Sequence, residues 1–134
     1  MTFNDLTATA DLMREPNADY LGDKTDNQLK ELKRKSALLT LESDLLNDTG
    51  LSSDNLTAID EIVSNYEFML NTALTYKQLQ LFYYEINDVI DGSLTLFRYN
   101  EYKTMYDDLR KGFSKLSFSS TQSILVNSVN LMYG

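Results

Sequence analysis

Leucine recurs at helical spacing between Leu29 and Leu46. The positions are Leu29, Leu32, Leu38, Leu39, Leu41, Leu45 and Leu46. Thr25 or Asp26 can cap the first turn, and Gly50 can take the left-handed conformation that ends many helices. The pattern predicts a helix from about Asp26 to Leu46 that packs its leucines into the core.

The residues before this helix predict a short helix followed by a loop. Asn4 can cap a helix that runs to about Arg14. Pro16 then ends that helix, because proline disfavours helical geometry at the residue before it. Turn-forming residues, among them Gly22, predict a loop up to the leucine-rich helix.

A second apolar stripe begins after Ser52 or Ser53 and steps by three and four residues. Its members are Leu56, Ile59, Val63, Tyr66, Leu70 and Ala73. At the same rhythm it would reach Lys77 and Gln80, which do not fit, and a new stripe of Leu79, Phe82, Ile86 and Val89 takes over. Because Thr75 to Gln78 also has capping-box form, we expect a bend or a break near Ala73–Tyr76. The run LQLFYYEI is apolar nearly all round, so we expect it in the most buried helix.

The last helix is predicted from about Thr95 to Leu116. Tyr99, Tyr102, Tyr106, Leu109, Phe113 and Leu116 step by three and four residues along it. The turn at Asp91-Gly92 then folds two long helices, about 54–90 and 95–116, into an antiparallel hairpin. The predicted fold is all-α, a bundle of four to five helices in one domain over residues 1–116.

Residues 117–134 form an uncharged tail that contains five serines. Alternation of apolar residues predicts an extended segment, which needs a partner surface because an isolated strand is not stable. We expect this tail to dock on a neighbouring chain. The residues predicted to make that contact are Ile124, Leu125, Val126, Val129, Leu131 and Tyr133.

Composition limits the chemistry that this chain can carry out. The sequence of 134 residues contains no histidine and no cysteine, which excludes Ser-His-Asp and Cys-His catalysis and histidine or cysteine zinc sites. No Gly-rich phosphate loop is present. We therefore expect no enzymatic activity and no cofactor. A run of 18 apolar residues and a secretion signal are also absent from the sequence as given, and we expect no membrane contact.

The stretch around Asp91-Gly92 resembles a calcium-binding EF-hand loop and fails the test for one. With Gly92 at position 6, Asn87 is first, Val89 third and Arg98 twelfth. Valine has no side-chain oxygen, and arginine places a cation where the loop needs a bidentate carboxylate. The stretch is therefore predicted to be the turn of the helical hairpin, without a metal site.

The tyrosines around this hairpin allow two interpretations. Tyrosine is common at interfaces, because its ring buries area while its hydroxyl stays wet. Tyr99, Tyr102 and Tyr106 are therefore candidates for subunit contacts. The alternative is a helical core with tyrosine hydroxyls at its rim.

Charge is unevenly distributed over this acidic chain. The net charge is −8, which makes free duplex DNA an unfavourable partner. Residues 36–76 contain no basic residue and seven acids, whereas Lys30 to Lys35 and Arg110 to Lys115 are basic clusters. Opposed charged zones can pair copies head to tail, although a solvated surface is the simpler interpretation.

The region from about Leu56 to the C-terminus resembles the head–tail connector (adaptor) proteins of tailed phages. The resemblance rests on the order of LTYKQLQLFYYEIND, DGSLTLFRYNEYKTMYDDLRKGFSKL and a short apolar tail. It implies a virion structural protein that forms a twelve-fold homo-oligomeric ring beneath the portal protein and extends the DNA channel. The tail would dock on portal or on tail and neck proteins, and DNA would pass without sequence-specific binding. The implied location is the neck of the virion, with assembly in the host cytoplasm.

The acids between Glu42 and Glu67 support an alternative of a different class. An acidic inhibitor can imitate DNA and occupy a host nucleic-acid-binding enzyme, provided that its carboxylates lie on one open face. The acids here are spread over two predicted helices and a turn. A carboxylate-only metal enzyme is a third alternative with less support in the sequence.

Overall fold

The computed structural model describes residues 1–89 and 93–118, and all regular structure in them is helical. The helices are α1 (Ala10–Arg14), α2 (Ala18–Leu21), α3 (Asp26–Glu31), α4 (Arg34–Thr49), α5 (Leu56–Asn65), α6 (Glu67–Val89) and α7 (Ser93–Arg110). Short 3-10 turns lie at Phe3–Asp5, Glu15–Asn17 and Phe113–Lys115. The predicted all-α class is therefore confirmed.

Helices α6 and α7 pack against each other along their lengths. The Tyr84 and Tyr99 ring centres are 5.6 Å apart. The Tyr83 and Tyr102 rings stack 6.1 Å apart at an interplanar angle of 10°. Residue numbers rise along α6 as they fall along α7, so the pair is antiparallel, as predicted. The turn that joins the helices, residues 90–92, lies outside the described part of the chain.

The apolar interior consists of two clusters that share this helix pair. The larger cluster joins α4, α5 and the first half of α6, with Tyr106 and Phe113. The smaller cluster joins α1 and α3 to the second half of α6, with Tyr83 and Tyr102 at its centre. Tyr76 packs against both clusters, so α6 is the element around which the whole domain is built.

The first predicted helix, from Asn4 to Arg14, ends where expected, but its first half is wrong. The chain makes a 3-10 turn at Phe3–Asp5, and α1 begins only at Ala10. Between them the backbone N–H groups bond to α6: Thr7 donates to Asn71 Oδ1 at 2.9 Å and Thr9 to Thr75 Oγ1 at 2.9 Å. These tertiary hydrogen bonds replace the intrahelical ones that the prediction assumed.

The predicted leucine-rich helix is divided in two. Thr25, one of the two residues predicted to cap this helix, caps α3 through a capping box with Gln28, but α3 ends at Glu31 and Lys33 is left-handed with φ 56°. Gln78 explains the break, because its Nε2 donates to the carbonyls of Lys30 at 3.2 Å and Leu32 at 2.6 Å. Helix α4 then runs to Thr49, three residues beyond the predicted end. It stops at left-handed Gly50 (φ 76°), as the sequence indicated.

The predicted break near Ala73–Tyr76 is also wrong. The chain breaks at Tyr66 instead, where φ is −124° and ψ is 30°, and α6 then continues to Val89. Thr75 does not cap a helix, because its hydroxyl donates to the carbonyl of Asn71 at 2.8 Å. The most buried run is Ala73 to Gln80 rather than LQLFYYEI. Within LQLFYYEI, Tyr84 is 58% exposed.

Two further boundaries differ from the predictions by a few residues. Helix α5 starts at Leu56, where Asn55 Oδ1 accepts a hydrogen bond from the N–H of Ala58 at 3.2 Å, so neither Ser52 nor Ser53 caps it. Helix α7 ends at Arg110, and the 3-10 turn Phe113–Lys115 completes the predicted helix 95–116. That turn buries the Phe113 ring completely in the larger cluster.

Candidate functional site

A buried asparagine joins the helical hairpin to the N-terminal helices. The side chain of Asn17 is 0% exposed. Its Nδ2 donates to the carbonyl of Met13 at 2.7 Å and lies 2.9 Å from Tyr102 Oη. Its Oδ1 accepts from Tyr83 Oη at 2.7 Å and from the Arg98 guanidinium. The amide has protein partners at both ends, so this cluster fastens three segments together.

Burial changes the acidity of the two tyrosines in this cluster. It raises the pKa of Tyr83 and of Tyr102, because an ionised phenol would be poorly solvated among apolar side chains. The nearby Arg98 cation offsets part of the increase at both sites. Both hydroxyls therefore stay protonated at neutral pH and serve as hydrogen-bond donors.

A second buried cluster surrounds Lys77, which is 9% exposed. Its Nζ donates to Gln80 Oε1 at 2.7 Å and lies 4.1 Å from the centre of the Tyr106 ring. Burial lowers the pKa of Lys77, and the carboxylates of Asp44 and Asp107 act in the opposite direction. Burial also raises the pKa of Tyr106, whose hydroxyl donates to Asp44 Oδ2 at 2.7 Å. The ammonium group is thus held by an amide, a ring face and nearby carboxylates.

Arg110 closes this cluster toward the surface. It donates two hydrogen bonds to Asp48, from Nε at 2.8 Å and from Nη2 at 3.1 Å, and its Nη1 lies 3.3 Å from Asp44 Oδ1. The hydrogen bond to Asp48 raises the pKa of Arg110. Two of the seven carboxylates in the acidic stretch are therefore paired with a cation. The array of carboxylates that this chain could present as a DNA mimic is therefore smaller than the sequence suggests.

The residues tested as a calcium loop take part in structural contacts instead. Asn87 Oδ1 accepts a hydrogen bond from Thr95 Oγ1 at 2.7 Å. Arg98 donates to the carbonyl of Pro16 as well as to Asn17. Ile90 to Gly92 lie outside the described residues. In the part of the chain that is described, no group of three or more acidic side chains is arranged to hold a metal ion.

The structure separates the three tyrosines predicted to make subunit contacts. Tyr102 and Tyr106 are 3% and 1% exposed, and their hydroxyls bond to Asn17 and Asp44 within the same chain. These two positions fit the alternative that the sequence left open, a helical core. Tyr99 is half-buried against Tyr84, so it alone of the three presents surface to a neighbour. The subunit contact stays a prediction.

Large apolar side chains are exposed at several places on this scaffold. Phe68, at the start of α6, is 86% exposed. The others at more than a third exposure are Met1, Leu39, Leu56, Tyr84, Leu94, Leu96 and Phe97. Leu94, Leu96 and Phe97 all lie at the start of α7. Grouped exposed apolar side chains are typical of protein–protein contact sites.

The described chain ends beside the junction of α5 and α6. The N–H of Ser117 donates to Tyr66 Oη at 3.0 Å, and Phe118 packs against the larger apolar cluster. The tail residues predicted to dock on a neighbouring chain lie beyond this point, outside the described residues, and their role stays a prediction. The point of departure, however, is fixed by contacts to the folded domain.

Sequence reasoning missed the polar interior. Asn17, Lys77 and Gln78 were not singled out as functional or structural centres. The one signal available was the interruption of the apolar stripe at Lys77 and Gln80, which marks polar residues on a buried face rather than a break in the helix.

Comparison with known proteins adds no relative to this description. No protein-family model, curated protein sequence or solved structure matches the chain significantly. Among the helices of residues 1–89 and 93–118, none combines the length and apolar character needed to cross a membrane.

Proposed function

We propose that this chain is a structural subunit of a tailed-phage neck, a head–tail connector (adaptor) that forms a ring below the portal protein. The observation that carries the proposal is the contrast between polar side chains paired in the interior and large apolar side chains at the surface. The buried polar side chains, such as Asn17 and Lys77, make contacts within the domain, whereas large apolar side chains such as Phe68 and Phe97 remain exposed. That combination suits a subunit that binds other proteins.

The net negative charge supports a channel-forming role. A net charge of −8 repels the DNA backbone, and a channel has to let DNA pass without retaining it. The resemblance of residues 56–134 to connector proteins adds the ring and the portal as partner. In this proposal the subunit is not an enzyme and needs no cofactor. It assembles in the host cytoplasm and stays in the virion neck.

Affinity capture tests the proposal against the DNA-mimic alternative. The tagged full-length chain is expressed with the portal protein of the same genome and, separately, incubated with host lysate. The proposal predicts recovery of the portal protein. Recovery of a host nuclease with no binding to portal would overturn it in favour of an acidic inhibitor.

Surface variants make this capture specific. Phe68→Asp and Phe97→Asp each place a charge on an exposed apolar side chain, and at least one is expected to weaken portal binding by tenfold or more. Asn100→Asp adds the same charge at an exposed position of α7 and is expected to bind portal as the parent does. Equal binding by all three variants would show that these apolar side chains are not the contact.

A further inference from the structure

We propose that residues 119–134 of one copy dock into an apolar groove beside α4 and α5 of the next copy. This inference rests on the proposed ring, and it assigns the two surfaces by which neighbouring subunits would meet. The groove belongs to the described part of the chain. The segment that fills it is the uncharged C-terminal tail.

The groove consists of two shallow clefts that meet at the N-terminal turn. The clefts measure about 160 and 180 Å³ and share Phe3, Asn4 and Glu42 as a common wall. One extends to Leu38 and Leu39 on α4, and the other to Leu56 and Ile59 on α5. An apolar cavity of about 150 Å³ accommodates benzene, so each cleft has room for one large apolar side chain.

Exposure of the leucines at the groove shows an unfilled apolar surface. Leu39 and Leu56 are 61% and 64% exposed, whereas Phe3 and Ile59 beneath them are 6% and 4% exposed. Exposed leucine over a buried apolar floor is the arrangement that a docked segment would cover. Covering both leucines removes apolar surface from water, which favours association.

The C-terminal segment has the length and the composition to occupy this groove. Sixteen residues follow Phe118, and none of them is charged. The chain leaves the domain beside Tyr66, at the other end of α5 from Leu56, a separation of about 15 Å along the helix. Sixteen extended residues reach about 50 Å, so the segment can cross to a groove on an adjacent copy.

Charge also favours an uncharged occupant. Lys35, Glu42 and Asp60 line the two clefts, and the domain as a whole is acidic. An uncharged segment meets neither repulsion from the domain nor a need to match these charges. The contact should therefore change little with salt concentration.

The choice of another copy follows from symmetry. The groove and the segment are different surfaces of the same chain, so their contact is heterologous. Heterologous contacts repeat head to tail and close into a ring when the rotation allows it. Docking of the segment in the groove of its own chain would cover the same leucines but would not link one copy to the next.

Mixing two defective full-length variants tests this arrangement. Leu39→Glu/Leu56→Glu places charges in the groove and leaves the C-terminal segment intact. Val126→Asp/Leu131→Asp places charges in the segment and leaves the groove intact. Circular dichroism establishes that both variants are folded. Each variant alone is expected to be monomeric by light scattering after size-exclusion chromatography. An equimolar mixture is expected to give dimers that grow no further, because it contains one intact groove and one intact segment per pair.

Every other outcome overturns the inference. A monomeric mixture, with the segment protected from amide exchange in the parent and not in the groove variant, would place the segment in its own groove. A parent that stays monomeric and unprotected, or a Leu39→Glu/Leu56→Glu variant that still self-associates, would assign the groove no role. Asn100→Glu, at an exposed position of α7 outside the groove, is the control and should associate as the parent does. Retained binding to portal with any of these results would leave the proposed function intact.

Discussion

Replacement of Asn17 by leucine is the sharpest perturbation of the interior. Leucine has nearly the shape of asparagine and no hydrogen-bonding atom. Asn17→Leu would therefore keep the packing and remove the hydrogen-bond partner of the Tyr83 and Tyr102 hydroxyls. Both tyrosines are buried, at 0% and 3% exposure. The experiment isolates the hydrogen bonds of the cluster.

The expected loss follows from the number of hydroxyls left without a partner. A buried polar group without a hydrogen bond costs about 1–3 kcal/mol, and two such groups would cost about 2–6 kcal/mol. Arg98 already lies against this cluster and can satisfy one hydroxyl in part. We therefore expect Asn17→Leu to lower the free energy of unfolding by about 2–4 kcal/mol.

The assay is urea unfolding followed by circular dichroism. The triple variant Asn17→Leu/Tyr83→Phe/Tyr102→Phe removes the orphaned hydroxyls and should recover most of the loss, because replacing both partners by apolar groups is nearly neutral. Asn100→Leu, at an exposed position, should change the stability by no more than about 0.5 kcal/mol. A loss below about 1 kcal/mol for Asn17→Leu, or no recovery in the triple variant, would refute the reasoning.

Three further predictions concern charge and backbone. Stability should fall as pH rises above 10.0, the ordinary tyrosine pKa, because the unfolded chain then releases phenol protons that buried tyrosines retain. Tyr83→Phe should make that slope shallower by up to about 1.4 kcal/mol per pH unit, whereas Asn100→Leu, which removes no phenol, should leave it unchanged; equal slopes for Tyr83→Phe and the parent in urea unfolding from pH 9 to 11 would contradict this. Lys33→Gly should be more stable than Lys33→Ala by about 1 kcal/mol, because both variants lose the ion pair with Glu85 and only glycine relieves the left-handed backbone. Lys35→Gly, within α4, should instead be less stable than Lys35→Ala by about 1 kcal/mol; the same order at both positions would refute the backbone argument. Arg110→Lys should lower the free energy of unfolding, measured in urea, by about 1–2 kcal/mol, because lysine cannot make the paired hydrogen bonds to Asp48. An unchanged free energy of unfolding would show that the charge alone matters.

The sequence predicted the elements that depend on apolar periodicity and local capping. The helix cap at Thr25, the end of a helix at Gly50 and the antiparallel pairing of α6 with α7 all follow from neighbouring residues. Apolar spacing fixes which face of a helix is buried, and it was sufficient for the fold class.

The breaks between helices were predicted less well, because long-range hydrogen bonds decide them. Gln78 bonds to carbonyls at the end of α3, 46 and 48 residues away, and divides the leucine-rich segment. Lys77 and Gln80 look like breaks in an apolar stripe, yet they lie on the buried face of a continuous helix. Only the folded arrangement shows that partners for these polar groups exist.

The exposed surfaces could not be predicted from residue spacing alone. Tyr102 and Tyr106 have the spacing of an interface stripe, and the structure buries them because α6 covers that face of α7. Exposed leucines at positions 39 and 56 could not be distinguished from core leucines by spacing, since both sit in segments rich in apolar residues. Tertiary packing decides which leucines remain at the surface.

Electron microscopy of the purified chain with the portal protein of the same genome tests the central claim most directly. The account predicts class averages in which a second ring of density caps the portal ring on one side and encloses a continuous central channel. Portal rings that look the same with and without the chain, under conditions in which the chain is folded, would contradict it.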